Sequence, residues 1–134
     1  MPMTSSPRVL VVEDNPINQM ILRTMLSREG IEAEVAGNGV EGVDRAAEGG
    51  WNLVLMDLQM PVMDGFEATR RIRAMAGDCS AVPIVAVTAN TLPEDRRQAA
   101  AAGMDGFIAK PVELGTLRSA LRRWLGGAVG SVAR

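Results

Sequence analysis

Short runs of consecutive apolar residues alternate along the chain with segments whose apolar residues recur every three or four positions. Arg8-Val-Leu-Val-Val12 is apolar after its first residue, as expected of a strand buried on both faces. Pro16 opens a segment with Ile17, Ile21, Leu22, Met25 and Leu26 at helical spacing, which Gly30 stops. Ile31 to Ala36 reads as a second strand interrupted by two glutamates, and Gly39 to Glu48 as a second helix. Trp51-Asn-Leu-Val-Leu-Met56 is a third strand. Pro61 and the Asp64-Gly65 pair mark a turn before a helix from Phe66 to Ala76. Ile84-Val-Ala-Val-Thr88 is a fourth strand, and Thr91 is placed to cap a helix with Pro93, Glu94 and Asp95 in its first turn, ended by Gly103. Phe107 to Ala109 forms a fifth strand. A last helix sets Leu114, Leu117, Leu121 and Leu125 on one face and stops at Gly126-Gly127.

A β-α unit repeated five times implies a parallel sheet covered on both faces by right-handed crossovers. Ligands of such sheets sit beyond the carboxyl ends of the strands. Glu13 and Asp14 follow the first strand, Asp57 the third and Lys110 the fifth, while Thr88 closes the fourth. Three carboxylates in one small site repel and raise one another's pKa, and a divalent cation relieves that. Hard oxygen donors without His or Cys select Mg²⁺. A carboxylate is also a competent nucleophile toward phosphorus, giving an acyl phosphate. Phosphoryl transfer needs mainly positioning and charge neutralisation, which Mg²⁺ on Asp14 and Asp57, the Lys110 ammonium and the Thr88 hydroxyl would supply. Taken singly, each residue has a plainer role: Asp14 could cap the helix near Pro16, Thr88 could simply end a strand, and Lys110 could be a surface lysine. The whole set, each member at a strand end, is what points to phosphorus.

Composition narrows the field. The 134 residues suit one domain, and 47% hydrophobic residues suffice for a core without disulfides. The single cysteine, Cys79, sits among loop-like neighbours and suits a reducing cytosol. Histidine is absent, which excludes Ser-His-Asp and Cys-His catalysis, His-ligated zinc and a phosphohistidine carrier role. A net charge of -2 gives no overall reason to expect nucleic acid or an anionic membrane as partner. With no apolar run of spanning length and no signal-peptide core, a cytoplasmic location is expected. Residues 1–7 and 126–134 read as short flexible ends.

The stretches Val11-Val-Glu-Asp-Asn15, Leu55-Met-Asp-Leu-Gln-Met-Pro-Val-Met-Asp-Gly65, Val87-Thr-Ala-Asn90 and Ala109-Lys-Pro111 resemble the receiver domains of bacterial response regulators. The resemblance covers about residues 8–125. It implies a flavodoxin-like (βα)5 fold with strand order 2-1-3-4-5. It further implies Asp57 as phosphoacceptor, with Mg²⁺ (or Mn²⁺ in its place) held by Asp14, Asp57, the main-chain carbonyl of Gln59 and, through water, Glu13. Thr88 and Phe107 would be the switch pair, Lys110 would contact the phosphoryl group, small Ala89 would leave the site open, and Lys110-Pro111 would be a cis peptide. The acidic pair is Glu-Asp rather than Asp-Asp, and Phe107 stands where many members have tyrosine. Asn18, the Gln59-to-Gly65 stretch and Ala101 to Gly106 resemble receivers attached to hybrid sensor kinases. That implies a histidine kinase or histidine phosphotransfer protein as partner, and a monomer or weak dimer without turnover chemistry of its own.

Competing readings are weaker. Gly37-Asn-Gly39-Val-Glu-Gly42 matches a dinucleotide fingerprint, but it follows the second strand, and the first turn carries acids that would repel a pyrophosphate. A plain turn and helix start accounts for these glycines. A haloacid-dehalogenase-like phosphatase needs its aspartate after the first strand and an acid where Gln59 stands. A flavodoxin needs a hydroxyl-rich loop after strand one. An interaction module that is never phosphorylated would be signalled by loss of the acceptor, the acidic pair or the lysine, and all are present.

Overall fold

The computed structural model describes residues 7–126. Along the chain run β1 (Arg8–Val12), α1 (Pro16–Arg28), β2 (Glu32–Ala36), α2 (Gly39–Ala47), β3 (Leu53–Asp57), α3 (Gly65–Arg73), a 3₁₀ turn (Asp78–Ala81), β4 (Ile84–Thr88), α4 (Pro93–Ala102), β5 (Gly106–Ala109) and α5 (Leu114–Leu125). The five strands form one sheet in the order β2-β1-β3-β4-β5, every pair parallel. Fold class and strand order are as the sequence predicts. The expected flexible ends lie outside the described residues, apart from residues 7 and 126.

Side chains alternate across the strands and so build two apolar layers. Leu10, Val12, Val54, Met56, Ile84 and Ala86 point to one side, where Ala46 of α2, Ala68 and Ile72 of α3 and Ala99 of α4 cover them. Val9, Val11, Leu53, Leu55, Val85 and Val87 point to the other, under Leu22 and Leu26 of α1 and Leu117 and Leu121 of α5. The continuous apolar runs of β1, β3 and β4 follow from burial on both faces. β2 tolerates its glutamates because it is an edge strand: Glu34 accepts from Arg8 at 2.8 Å and from Arg45 at 2.7 Å, and those arginines hold its carboxyl below the usual range.

Several local expectations need correction. The plainer reading of Asp14 as a helix cap does not hold, because Asn15 caps α1, its side-chain oxygen accepting from the N–H groups of Ile17 and Asn18 at 2.9 and 3.1 Å. Thr91 is not the cap of α4; Leu92 precedes Pro93 there without any side-chain cap bond, and its carbonyl accepts from Asp95 N–H at 3.0 Å. β3 begins at Leu53 rather than Trp51, whose indole N–H instead donates to the Arg45 carbonyl at 2.8 Å. α3 ends at Arg73, three residues short of Ala76, and Cys79 lies in the 3₁₀ turn. Ile17 and Ile21 match the helical period of α1 yet are exposed, leaving Leu22 and Leu26 to face the sheet.

Candidate functional site

The carboxyl edge of the sheet gathers the polar residues. Asp57 is the last residue of β3, and its carboxylate lies beside those of Glu13 and Asp14, with one oxygen of each within 4.8 Å of the others. The loop after β3 can close over this edge because α3 starts at glycine: a Cβ on Gly65 would collide with the carbonyl of Asp57 and sit 2.9 Å from the Cα of Leu58. Gly65 N–H instead donates to the Leu58 carbonyl at 2.9 Å, and Asp64 caps α3 through Glu67 N–H. In the dinucleotide-like motif, Gly39 and Gly42 likewise permit close packing. Asn38 caps α2, and Gly42 is pressed so closely on Val12 that a Cβ would come within 2.8 Å of it.

Glu13 is the unexpected member. Its side chain is almost wholly buried, and it accepts from the Lys110 ammonium at 2.8 Å and from Asn15 N–H at 3.0 Å. Asp14 beside it is exposed. Lys110 reaches back from the end of β5, where its own N–H donates to the Thr88 carbonyl at 2.8 Å, and the Lys110-Pro111 bond is cis as expected. The ammonium stands 3.5 Å from Asp57 Oδ1, so Lys110 is no free surface lysine. Gln59 N–H approaches the same oxygen at 3.4 Å.

One ammonium therefore pairs with two of three clustered carboxylates. Burial pushes the Asp57 carboxyl up from 3.8 to about 6; the Glu13 charge adds to that push, while Lys110 and the Gln59 N–H oppose it. Desolvation, more than the mutual repulsion the sequence suggests, is the leading cause. Thr88 is buried, and its hydroxyl oxygen accepts from Asn90 N–H at 3.0 Å, leaving the proton free to donate elsewhere. Ala89 is exposed beside it. Phe107 is half-buried, packed against the layer containing Met56 and Ala86.

Sequence reasoning missed the rim. Val62, a β-branched residue, adopts φ +72° and is 87% exposed. Met63 N–H donates to the Pro61 carbonyl at 2.8 Å, a tight three-residue turn centred on Val62. Ile17, Met20 and Leu92 are also large, apolar and more than half exposed. All four lie on helix starts or loops that leave the carboxyl edge. A β-branched residue between Pro61 and Asp64-Gly65 gives no sequence signal of a left-handed conformation.

Known proteins are similar to this chain in sequence and fold. The family model for the response regulator receiver domain covers residues 9–122. Histidine kinase 5 of Arabidopsis thaliana is 40% identical over 91% of the chain, which spans 16% of that protein's length. The receiver domain of sensor histidine kinase PA1611 from Pseudomonas aeruginosa, solved with a magnesium ion coordinated in its active-site cleft, superposes with a TM-score of 0.85 at 39% identity, covering 92% of this chain and 100% of that one. The Saccharomyces cerevisiae Ssk1 receiver domain, solved with the histidine phosphotransfer protein Ypd1, gives 0.81 at 38% identity over 89% of this chain and 88% of the other.

Proposed function

Because the chain belongs to the response regulator receiver domain family, a module of two-component phosphorelay signalling, we propose that Asp57 is its phosphoacceptor. The observation that carries this is the placing of a buried, proton-prone carboxylate at a strand end, 3.5 Å from an ammonium and beside two further acids. An Asp57 oxygen attacks the phosphorus of a phosphohistidine; the new O–P bond forms as the P–N bond breaks, and the imidazole nitrogen leaves with its electron pair. Lys110 balances charge on the transferred group, the Thr88 hydroxyl donates a hydrogen bond to one of its oxygens, and exposed Ala89 leaves the approach open.

The donor set fits a hard divalent cation: Asp14 and Asp57 as direct ligands, the Gln59 carbonyl as a third, and Glu13 through water. Glu13 suits the indirect role because Lys110 and Asn15 already occupy its carboxylate. Mg²⁺ there would supply positive charge beside the accepted phosphoryl group, and Mn²⁺ is expected to substitute. Position supports a switch at Thr88 and Phe107. Ala86 is the register partner of Phe107, and Thr88, two residues on, shares its face of the sheet. Movement of the Thr88 hydroxyl toward the phosphoryl group opens space into which Phe107 turns, changing the α4-β5-α5 face.

The partner is a histidine kinase or histidine phosphotransfer protein, which would cover the apolar rim of Ile17, Met20, Val62 and Leu92 when it brings its imidazole to Asp57. We infer a cytoplasmic signalling role without turnover catalysis, and because the chain spans only 16% of the length of histidine kinase 5, its place in a longer hybrid kinase or as a separate regulator is part of the same proposal. Among the described residues no helix is long and apolar enough to cross a membrane. The test is transfer of radiolabelled phosphoryl from a phosphorylated histidine phosphotransfer protein. Hydroxylamine-labile label is expected on the wild type and none on Asp57→Asn; label that persists on the variant would refute the assignment.

A further inference from the structure

The Phe107 ring has a second neighbour that the phosphoryl chemistry does not use. Arg96, in the first turns of α4, holds its guanidinium carbon 4.6 Å from the centre of that ring. Its neighbour Arg97 pairs with Glu94 at 3.5 Å, whereas Arg96 joins no ion pair among the described residues. The stack is thus the guanidinium's specific contact. A groove of about 600 Å³ beside it is lined by Arg96, Phe107, Arg123 and Trp124, so the ring also borders open surface.

We propose that Arg96 is a positioning residue of the switch: stacked on Phe107, it holds the ring at the α4-β5-α5 surface and raises the input needed to turn it inward. The inference rests on the reading of Phe107 as the ring that moves. Its physical basis is differential contact. A guanidinium over an aromatic face is attracted by the ring quadrupole, and inward rotation toward Thr88 carries the ring away from α4 and breaks that contact. The interaction therefore favours one arrangement over the other, which is the requirement for a bias. Arginine suits the task because its flat cation stacks without needing a hydrogen-bond acceptor.

The chain has only two phenylalanines, so ring-¹³C phenylalanine gives two sets of signals, assigned with Phe66→Leu. Wild type, Arg96→Ala, Arg96→Lys and Arg97→Ala are each titrated with beryllofluoride at fixed Mg²⁺ while the Phe107 signals are followed. Removing the stack is expected to lower the beryllofluoride midpoint about two- to fivefold. Arg96→Lys should recover part of that shift, and Arg97→Ala should leave the midpoint unchanged. A Phe107 response in Arg96→Ala identical to wild type overturns the proposal while leaving the switch intact. A wild-type Phe107 signal that ignores beryllofluoride, while other amides respond, overturns the moving-ring reading and this inference together.

Discussion

Opposite ends of the same sheet are each tied by one long cationic side chain, in opposite electrostatic company. At the amino end Arg73, the last residue of α3, donates to the carbonyls of Gly103, Ser80 and Val82 at 2.9, 2.9 and 2.7 Å and to the Asp105 carboxylate at 2.8 Å. Asp105 in turn accepts from Ile84 N–H at 2.9 Å, so one cation meets one anion and the hydrogen bonds are matched. At the carboxyl end Lys110 meets Glu13 and Asp57 with Asp14 close by, and negative charge is left over. The first end is finished and holds the fold. The second is left short of positive charge, the condition that favours binding of a divalent cation.

The largest effect should come from the finished end. Arg73→Ala strands three main-chain acceptors and a carboxylate, and is expected to cost about 3 kcal/mol, read as a lower urea midpoint with unchanged slope. Arg73→Lys should recover only part, since a single ammonium cannot span the same acceptors.

The unfinished end should respond with the opposite sign. Asp57 has a folded-state pKa of about 6 against an ordinary 3.8. Between those values the folded protein binds the extra proton, so stability in metal-free buffer falls as pH rises through the window. Asp57→Asn removes that dependence. The variant should exceed wild type by on the order of 2 kcal/mol above pH about 7 and lose the advantage toward pH about 4, in denaturation series across pH. A variant no more stable than wild type at the upper end would mean that the charge surplus is not a strain on the fold.

Lys110→Ala sharpens the contrast further. With the opposing cation gone, the Asp57 carboxyl should titrate above about 6 in carboxyl ¹³C spectra. Phosphorylation should persist while the response of binding partners weakens. The smallest effect lies between the two ends, at Thr69 of α3, whose buried hydroxyl has no hydrogen-bond partner among the described residues. Thr69→Val keeps the shape and drops the unpaired group, for an expected gain of about 0.5–1 kcal/mol in thermal or urea unfolding.

The contrast also marks what a linear reading can reach. β1, β3 and β4 were legible because burial on both faces demands unbroken apolar runs, and the site was legible because parallel strands deliver their last residues to one edge. The burial of Glu13 was not, since its partner Lys110 lies 97 positions away. Arg73 carries no motif at all; its acceptors stand 7 to 32 positions off and are joined only by the packing of α3 against the turns before β4 and β5. The capping error at Thr91 has a local cause. Neighbouring residues compete for the cap, and backbone geometry, not side-chain type alone, decides which one takes it. The rim residue Val62 was hidden because its left-handed backbone runs against its residue type.

The most direct measurement is intact mass after incubation with acetyl phosphate and Mg²⁺, beside an EDTA control and Asp57→Asn. One added phosphoryl group on the wild type, absent from both controls, is the predicted result. An adduct that survives either control would contradict the assignment, as would a wild type that gains no mass and whose spectra ignore beryllofluoride.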